Sequence, residues 1–245
     1  VDAVIVASRN NLRLGASQIK LMAGGGVSSL YDQLEDVQYF EDELHAAVMA
    51  AEDAGTYVMV HVYVPEAIRR AIRAGVKSIE HGQLIDEPTM KLIAEKGVWL
   101  SMQPFIGEGN NHYTNPVQQA KHELVVQGTD RAYQLAKKYG VKLAWGTVLI
   151  GPAESKDRNL NIEKMTRWFS NFEILKMITH DNAELLALSG RRNPYPGKLG
   201  VIEEGALADL IVVDGNALED IKVLTDPGKN MLLIMKDGKI YKNDL

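Results

Sequence analysis

The sequence predicts an α/β fold built on a parallel sheet, and three observations carry that prediction. Short apolar runs alternate with segments of helical spacing. The helical segments open on acids or proline and close on glycine. Three of the apolar runs carry a lysine or a histidine at or near their ends: QIKLM, with Lys20, before Ala23-Gly24-Gly25-Gly26, YVMVH ending at His61, and SIEH ending at His81 before Gly82.

The elements follow in order. Residues 1–16 read as an amphipathic helix running into a strand at 18–22. The segment 41–54 (EDELHAAVMAAEDA) carries acids in its first turn, which suit a helix N-terminus, and Gly55 ends it. A strand at 57–62 comes next. Pro65 then opens a helix, where its missing N–H loses nothing, and the helix runs to Gly75. A strand at 76–80, a helix at 87–96 closed by Gly97, and a strand at 98–102 continue the alternation. A polar loop at 107–116 precedes a long helical region at 117–139, in one piece or two, closed by Gly140. The strand at 141–145 is the fifth.

Strands alternating with helices demand right-handed crossovers and a parallel sheet. Five βα repeats are evident, and a closed (β/α)8 barrel of the TIM type takes eight. The run therefore reads as strands 4–8, with the first three expected upstream of Val1, and the chain as a fragment or processed product. Past residue 160 the pattern is helical to 188, then changes. Residues 199–205 read as a short strand and turn, 208–214 are β-branched, and 231–241 read as a hairpin around Asp237-Gly238. Two regions follow: a partial barrel at 1–190 and a β segment at 191–245.

Composition narrows the function. Hydrophobic residues make up 46% and charged residues 24% of the 245, as in ordinary soluble domains. The net charge of -5 gives no electrostatic reason to expect nucleic acid or an anionic membrane as partner. No apolar run approaches the roughly 20 residues of a membrane-spanning helix, and no signal peptide is evident. The expected location is the cytoplasm. With no cysteine, thiolate metal sites are excluded, so any metal must use histidine, carboxylate or a modified lysine.

The motifs QIKLMAGGG, VHVY, SIEHG and LAWGT, in that order, with the tail GKLGVIEEGALADLIVVDGNALEDI and MKDGKIY, resemble the amidohydrolase superfamily. The resemblance covers nearly the whole chain and lies within the branch of imidazolonepropionase-like proteins and metal-dependent dipeptidases, prolidases and carboxypeptidases. It implies a distorted (β/α)8 barrel plus a small β-sandwich built from both chain ends. It also implies metal-dependent hydrolysis of C–N bonds, in a dipeptide, an N-acyl amino acid or another small-molecule amide, by a homo-oligomer.

By the same resemblance, Lys20 is carbamylated and bridges divalent ions, most simply zinc, one or two in number. A carbamate turns a cation into two hard oxygens that suit such an ion. The plain alternative is a lysine snorkelling from a strand end, though a lysine buried there needs its charge removed or used. His61 and His81 would ligate one metal; they are one βα unit apart. Tyr63, two residues past His61, faces the same way on a strand and suits a substrate carboxylate or oxyanion, or else packs over the sheet rim. His112, in the polar loop, is placed to touch substrate. His45 reads as solvent-facing, His122 as beside the irregular loop, and His180 as a polar residue at a helix junction.

Two departures bear on activity. The family's His-x-His pair on its first strand has no counterpart here. The family's last barrel strand ends Gly-Thr-Asp, and here it reads Gly146-Thr147-Val148. Valine neither binds a metal nor accepts a proton, and Asp157 lies too far along the loop to replace the aspartate. The chain is thus expected to be an impaired hydrolase. The alternative is a non-catalytic relative serving as a binding or assembly module.

Overall fold

A computed structural model describes residues 1–107, 113–148 and 158–245. It divides into two compact units: Val1–Ala144 with Ala187–Pro194, and Trp145–Leu186 with Tyr195–Leu245.

In the first unit, helix α1 (Asp2–Arg13) leads into strand β1 (Ile19–Met22). Then come α2 (Glu41–Asp53), β2 (Val58–Val62), α3 (Pro65–Arg73), β3 (Ser78–His81), α4 (Glu87–Lys96), β4 (Trp99–Met102), α5 (Pro116–Tyr139) and β5 (Leu143–Trp145). The strands lie in chain order in one sheet. Pairing from β1 through β4 is parallel, with Met22 opposite His61, His61 opposite Glu80, and Val62 opposite His81. Consecutive helices pack on one another in the same order. The expected α/β alternation with a parallel sheet is what the structure shows.

Local chemistry explains the boundaries. The Asp86 carboxylate accepts the Thr89 N–H at 2.9 Å, capping α4, whose first turn also holds a proline. Gly97 ends α4 at φ 63°, a left-handed turn that glycine enters without steric cost. The region left as one or two helices is a single one of 24 residues, capped by Asn115 through the Val117 N–H at 2.9 Å. Val58, Val60 and Val62 of β2 are buried, as are Ile68 and Ala71 of α3, Met90 and Ile93 of α4, and Leu100 and Met102 of β4. These residues form the core that fixes where the strands end.

The second unit contains α6 (Leu160–Lys164), α7 (Asn171–Lys176), α8 (Asn182–Ala187), β6 (Leu210–Val213), α9 (Pro227–Asn230), β7 (Met231–Lys236) and β8 (Lys239–Asn243). A π-helical turn, Met177–Asp181, joins α7 to α8. The three strands form an antiparallel sheet in the order β6-β7-β8. The β7–β8 hairpin turns at Asp237 and Gly238, both at positive φ, as the Asp-Gly pair predicts. Residues 199–205, expected to open with a strand, form none. Lys198 and Ala206 make an isolated bridge instead, because the glycines at 200 and 205 take positive φ and break the extended run. No helix among the described residues is long and apolar enough to cross a membrane.

Candidate metal centre

Strand β2 alternates its side chains, so Met59 and His61 face one way and Val58, Val60 and Val62 the other. In a parallel sheet paired residues share a face, which places Lys20 (opposite Met59) and Met22 (opposite His61) on the His61 side. Simple alternation would send His81 the other way, because its partner is Val62. His81, however, has φ 79°. That left-handed conformation is unusual for a residue with a side chain and costs of order 1–3 kcal/mol. It breaks the alternation at the last residue of β3. The His81 ring comes to 4.4 Å from the His61 ring, centroid to centroid, at 70°.

Each ring is held by one nitrogen. His61 Nε2 lies 3.1 Å from the Gly25 carbonyl oxygen, which only accepts, so Nε2 carries the hydrogen. His81 Nδ1 lies 2.7 Å from Gln103 Oε1, so there Nδ1 carries it. The free lone pairs are therefore Nδ1 on His61 and Nε2 on His81. Residues outside a metal's ligands commonly fix imidazole tautomers in this way. Both rings are buried, at 8% and 5% exposure. Burial pushes the pKa of His61 down, with the Lys20 charge adding to the effect. Burial, then the His61 ring and Lys20, push His81 down to about 3. Both are neutral at pH 7, the protonation state that a ligand needs.

Those depressed values make a prediction about the metal-free protein. A base whose folded pKa is below its unfolded value of about 6.5 is protonated first in the unfolded chain. The stabilisation is complete above about pH 6.5 and is lost as pH falls toward about 3, by a few kcal/mol in all. Guanidinium titrations at stepped pH should show the midpoint falling steadily through this window. A flat midpoint would contradict it.

Tyr63 is buried and stacks on His81 at 5.1 Å and 29°, with its ring edge to His61 at 5.2 Å and 87°. It also packs with Val27, Leu34 and Val125. Burial raises its phenol pKa and keeps the hydroxyl a donor at neutral pH. Lys20 departs from its expected burial: it is exposed on β1. Its charge still acts on both rings. Val148 is 40% exposed, just past β5. His112 and Asp157 lie outside the described residues.

The other histidines sort differently. His45 is exposed, as expected, with Nδ1 3.3 Å from the Ala74 carbonyl. His122 is buried on α5 and, as expected, lies beside the loop, near the rings of Phe105 and Tyr113, each at 5.9 Å. His180 lies in the π-helical turn, its Nδ1 3.0 Å from Asp181, with Glu184 also near. Lys176 already engages Asp181 there.

Sequence reasoning missed Gln103 and the Gly25 carbonyl. Gln103 had a usable signal, since it directly follows the fourth strand as His81 closes the third. A backbone carbonyl has none.

Relatives place these features in a family. The profile of the amidohydrolase family matches residues 1–241. Ochratoxinase of Aspergillus niger is 34% identical over 246 residues, covering 99% of this chain and 50% of the relative. A solved prolidase complexed with N-methylphosphonate-L-proline is 37% identical with a TM-score of 0.88, covering 98% of this chain and 58% of that one. A solved Xaa-Pro dipeptidase with methionine bound in its active site is 32% identical with a TM-score of 0.83, covering 98% of this chain and 58% of that one. The chain spans about half the length of the curated relatives it matches. With its profile matched almost end to end, and with relatives of the dipeptidase-like branch superposing on its described fold, the chain belongs to the amidohydrolase family.

Proposed function

We propose that this chain carries part of a metal-dependent hydrolase that cleaves C–N bonds in dipeptides or N-acyl amino acids. The observation that carries the reading is the pair of buried, neutral imidazoles, each held through one nitrogen so that the other is free. That donor set suits a divalent ion, zinc first, with manganese, iron or cobalt also compatible. His61, His81 and a carbamylated Lys20 would hold it. When bound, the ion supplies Lewis acidity toward the amide carbonyl.

The remaining work falls to the chain itself. Gly25 and Gln103 keep the two tautomers fixed. Tyr63 donates its hydroxyl hydrogen to a substrate carboxylate or to the oxyanion that develops as water adds to the carbonyl. We assign His112 to substrate contact from the polar sequence around it alone. The leaving nitrogen needs a proton and the attacking water must lose one. Val148 can do neither, which favours slow turnover, or a second reading in which the chain is a non-catalytic binding or assembly module.

The fold that goes with this reading is a distorted (β/α)8 barrel, of which residues 1–190 supply strands 4–8, with residues 191–245 part of a β-sandwich. We place the protein in the cytoplasm as a homo-oligomer. The resemblance to prolidase and Xaa-Pro dipeptidase supports dipeptide substrates, and N-acyl amino acids complete the panel as the other small amides of this reading. The test is hydrolysis of such a panel by zinc-loaded protein. Slow zinc-dependent release of amino acid supports a hydrolase, zinc uptake without release supports the binding module, and no zinc uptake refutes the site.

A further inference from the structure

Lys121 has no part in the chemistry above, yet it is only 4% exposed, on α5. A lysine at that depth requires partners. Its Nζ donates to three backbone carbonyls: Gly26 at 3.2 Å, Ser29 at 2.9 Å, and Asp32. An ammonium has three hydrogens and the loop offers three acceptors, so the counts match. The Asp32 carboxylate lies 3.8 Å from Nζ through Oδ1. Its Oδ2 accepts the Gly26 N–H at 2.9 Å and closes the loop from the other side.

This loop is the one that grips His61. The His61 carbonyl accepts the N–H groups of Ala23 and Gly24, at 3.0 and 3.2 Å. The Gly25 carbonyl accepts from the His61 ring. A Cβ on Gly25 would sit 1.8 Å from the Gln33 carbonyl oxygen, so no other residue fits that path. A Cβ on Gly26 would sit 3.7 Å from His61 Nε2, so the backbone runs against the ring. The carbonyl that Lys121 holds and the carbonyl that orients His61 belong to consecutive residues, Gly26 and Gly25.

We propose that Lys121 is a positioning residue. Its ammonium serves as a built-in cation at the centre of loop 26–32, fixing the Gly25 carbonyl and through it the tautomer and angle of the His61 ring. The inference rests on the reading of His61 as a metal ligand, and its test separates the two.

The test uses the whole chain and two readouts, the nitrogen-15 ring spectrum of His61 and zinc affinity by chelator competition. Lys121→Met keeps the stem and removes the charge. It should turn the single Nε2–H tautomer into a mixture and weaken zinc about 10- to 100-fold, the usual cost of losing an outer partner of a ligand. Lys121→Ala, should Lys121→Met fail to fold, leaves room for methylammonium, which should restore both the tautomer and the affinity. A folded variant with lower stability but an unchanged His61 tautomer and zinc affinity would overturn the proposal, as would absence of rescue by methylammonium. If the parent protein binds no zinc, the metal reading fails while the tautomer readout still decides the role of Lys121.

Discussion

Replacing His81 by alanine is expected to weaken zinc binding by more than about 100-fold, because loss of an outer-shell partner alone costs about 10- to 100-fold. His81 takes a left-handed backbone, φ 79°, and its ring lies against that of His61. Alanine at 81 keeps the strained backbone, removes the Nε2 lone pair, and leaves Gln103 Oε1 without its 2.7 Å donor. Gln103→Leu should give the smaller loss, because the imidazole remains but its tautomer is free. His45→Ala is the control, since His45 is exposed and should leave affinity unchanged. Chelator competition, with circular dichroism to verify folding, distinguishes the three. Equal affinities for parent and His81→Ala would remove His81 from the site.

Val148→Asp is expected to raise hydrolysis of a susceptible dipeptide by about 100- to 10,000-fold, the range that a positioned general base supplies. Valine offers no atom to take a proton from water. Position 148 is 40% exposed, so a carboxylate there meets solvent and should change stability by no more than about 0.5 kcal/mol. The gain should appear in kcat, because proton transfer belongs to the transition state rather than to substrate binding. Val148→Asn, of the same shape but without the basicity, should gain little. An equal rate in all three proteins would show that the aspartate of the Gly-Thr-Asp motif has no counterpart function at this position.

The sheet was legible because its signals are local. Apolar runs set between helices closed by glycine gave five strands within a few residues of their observed bounds, and Pro65 and Gly97 marked helix ends by their own backbone chemistry. His61 was legible as a strand-end residue. The convergence of His81 on it was not derivable from alternation, which points the wrong way; a left-handed residue other than glycine leaves no trace in composition. Lys20 was read as buried because apolar residues flank it, but flanking residues on a strand point to both faces and do not decide what covers a side chain. Lys121 went unseen because its partners lie 95, 92 and 89 positions away and are backbone atoms, which no side-chain pattern reveals. The expected strand in 199–205 failed because two glycines at positive φ outweigh a short β-branched run.

X-ray absorption at the zinc edge, on the zinc-loaded protein, tests the central claim most directly. The account predicts two imidazole nitrogens at about 2.0–2.1 Å with oxygen completing the sphere, and loss of one imidazole in each of His61→Ala and His81→Ala. A spectrum that neither substitution alters, as zinc held at His180, Asp181 and Glu184 would give, contradicts it.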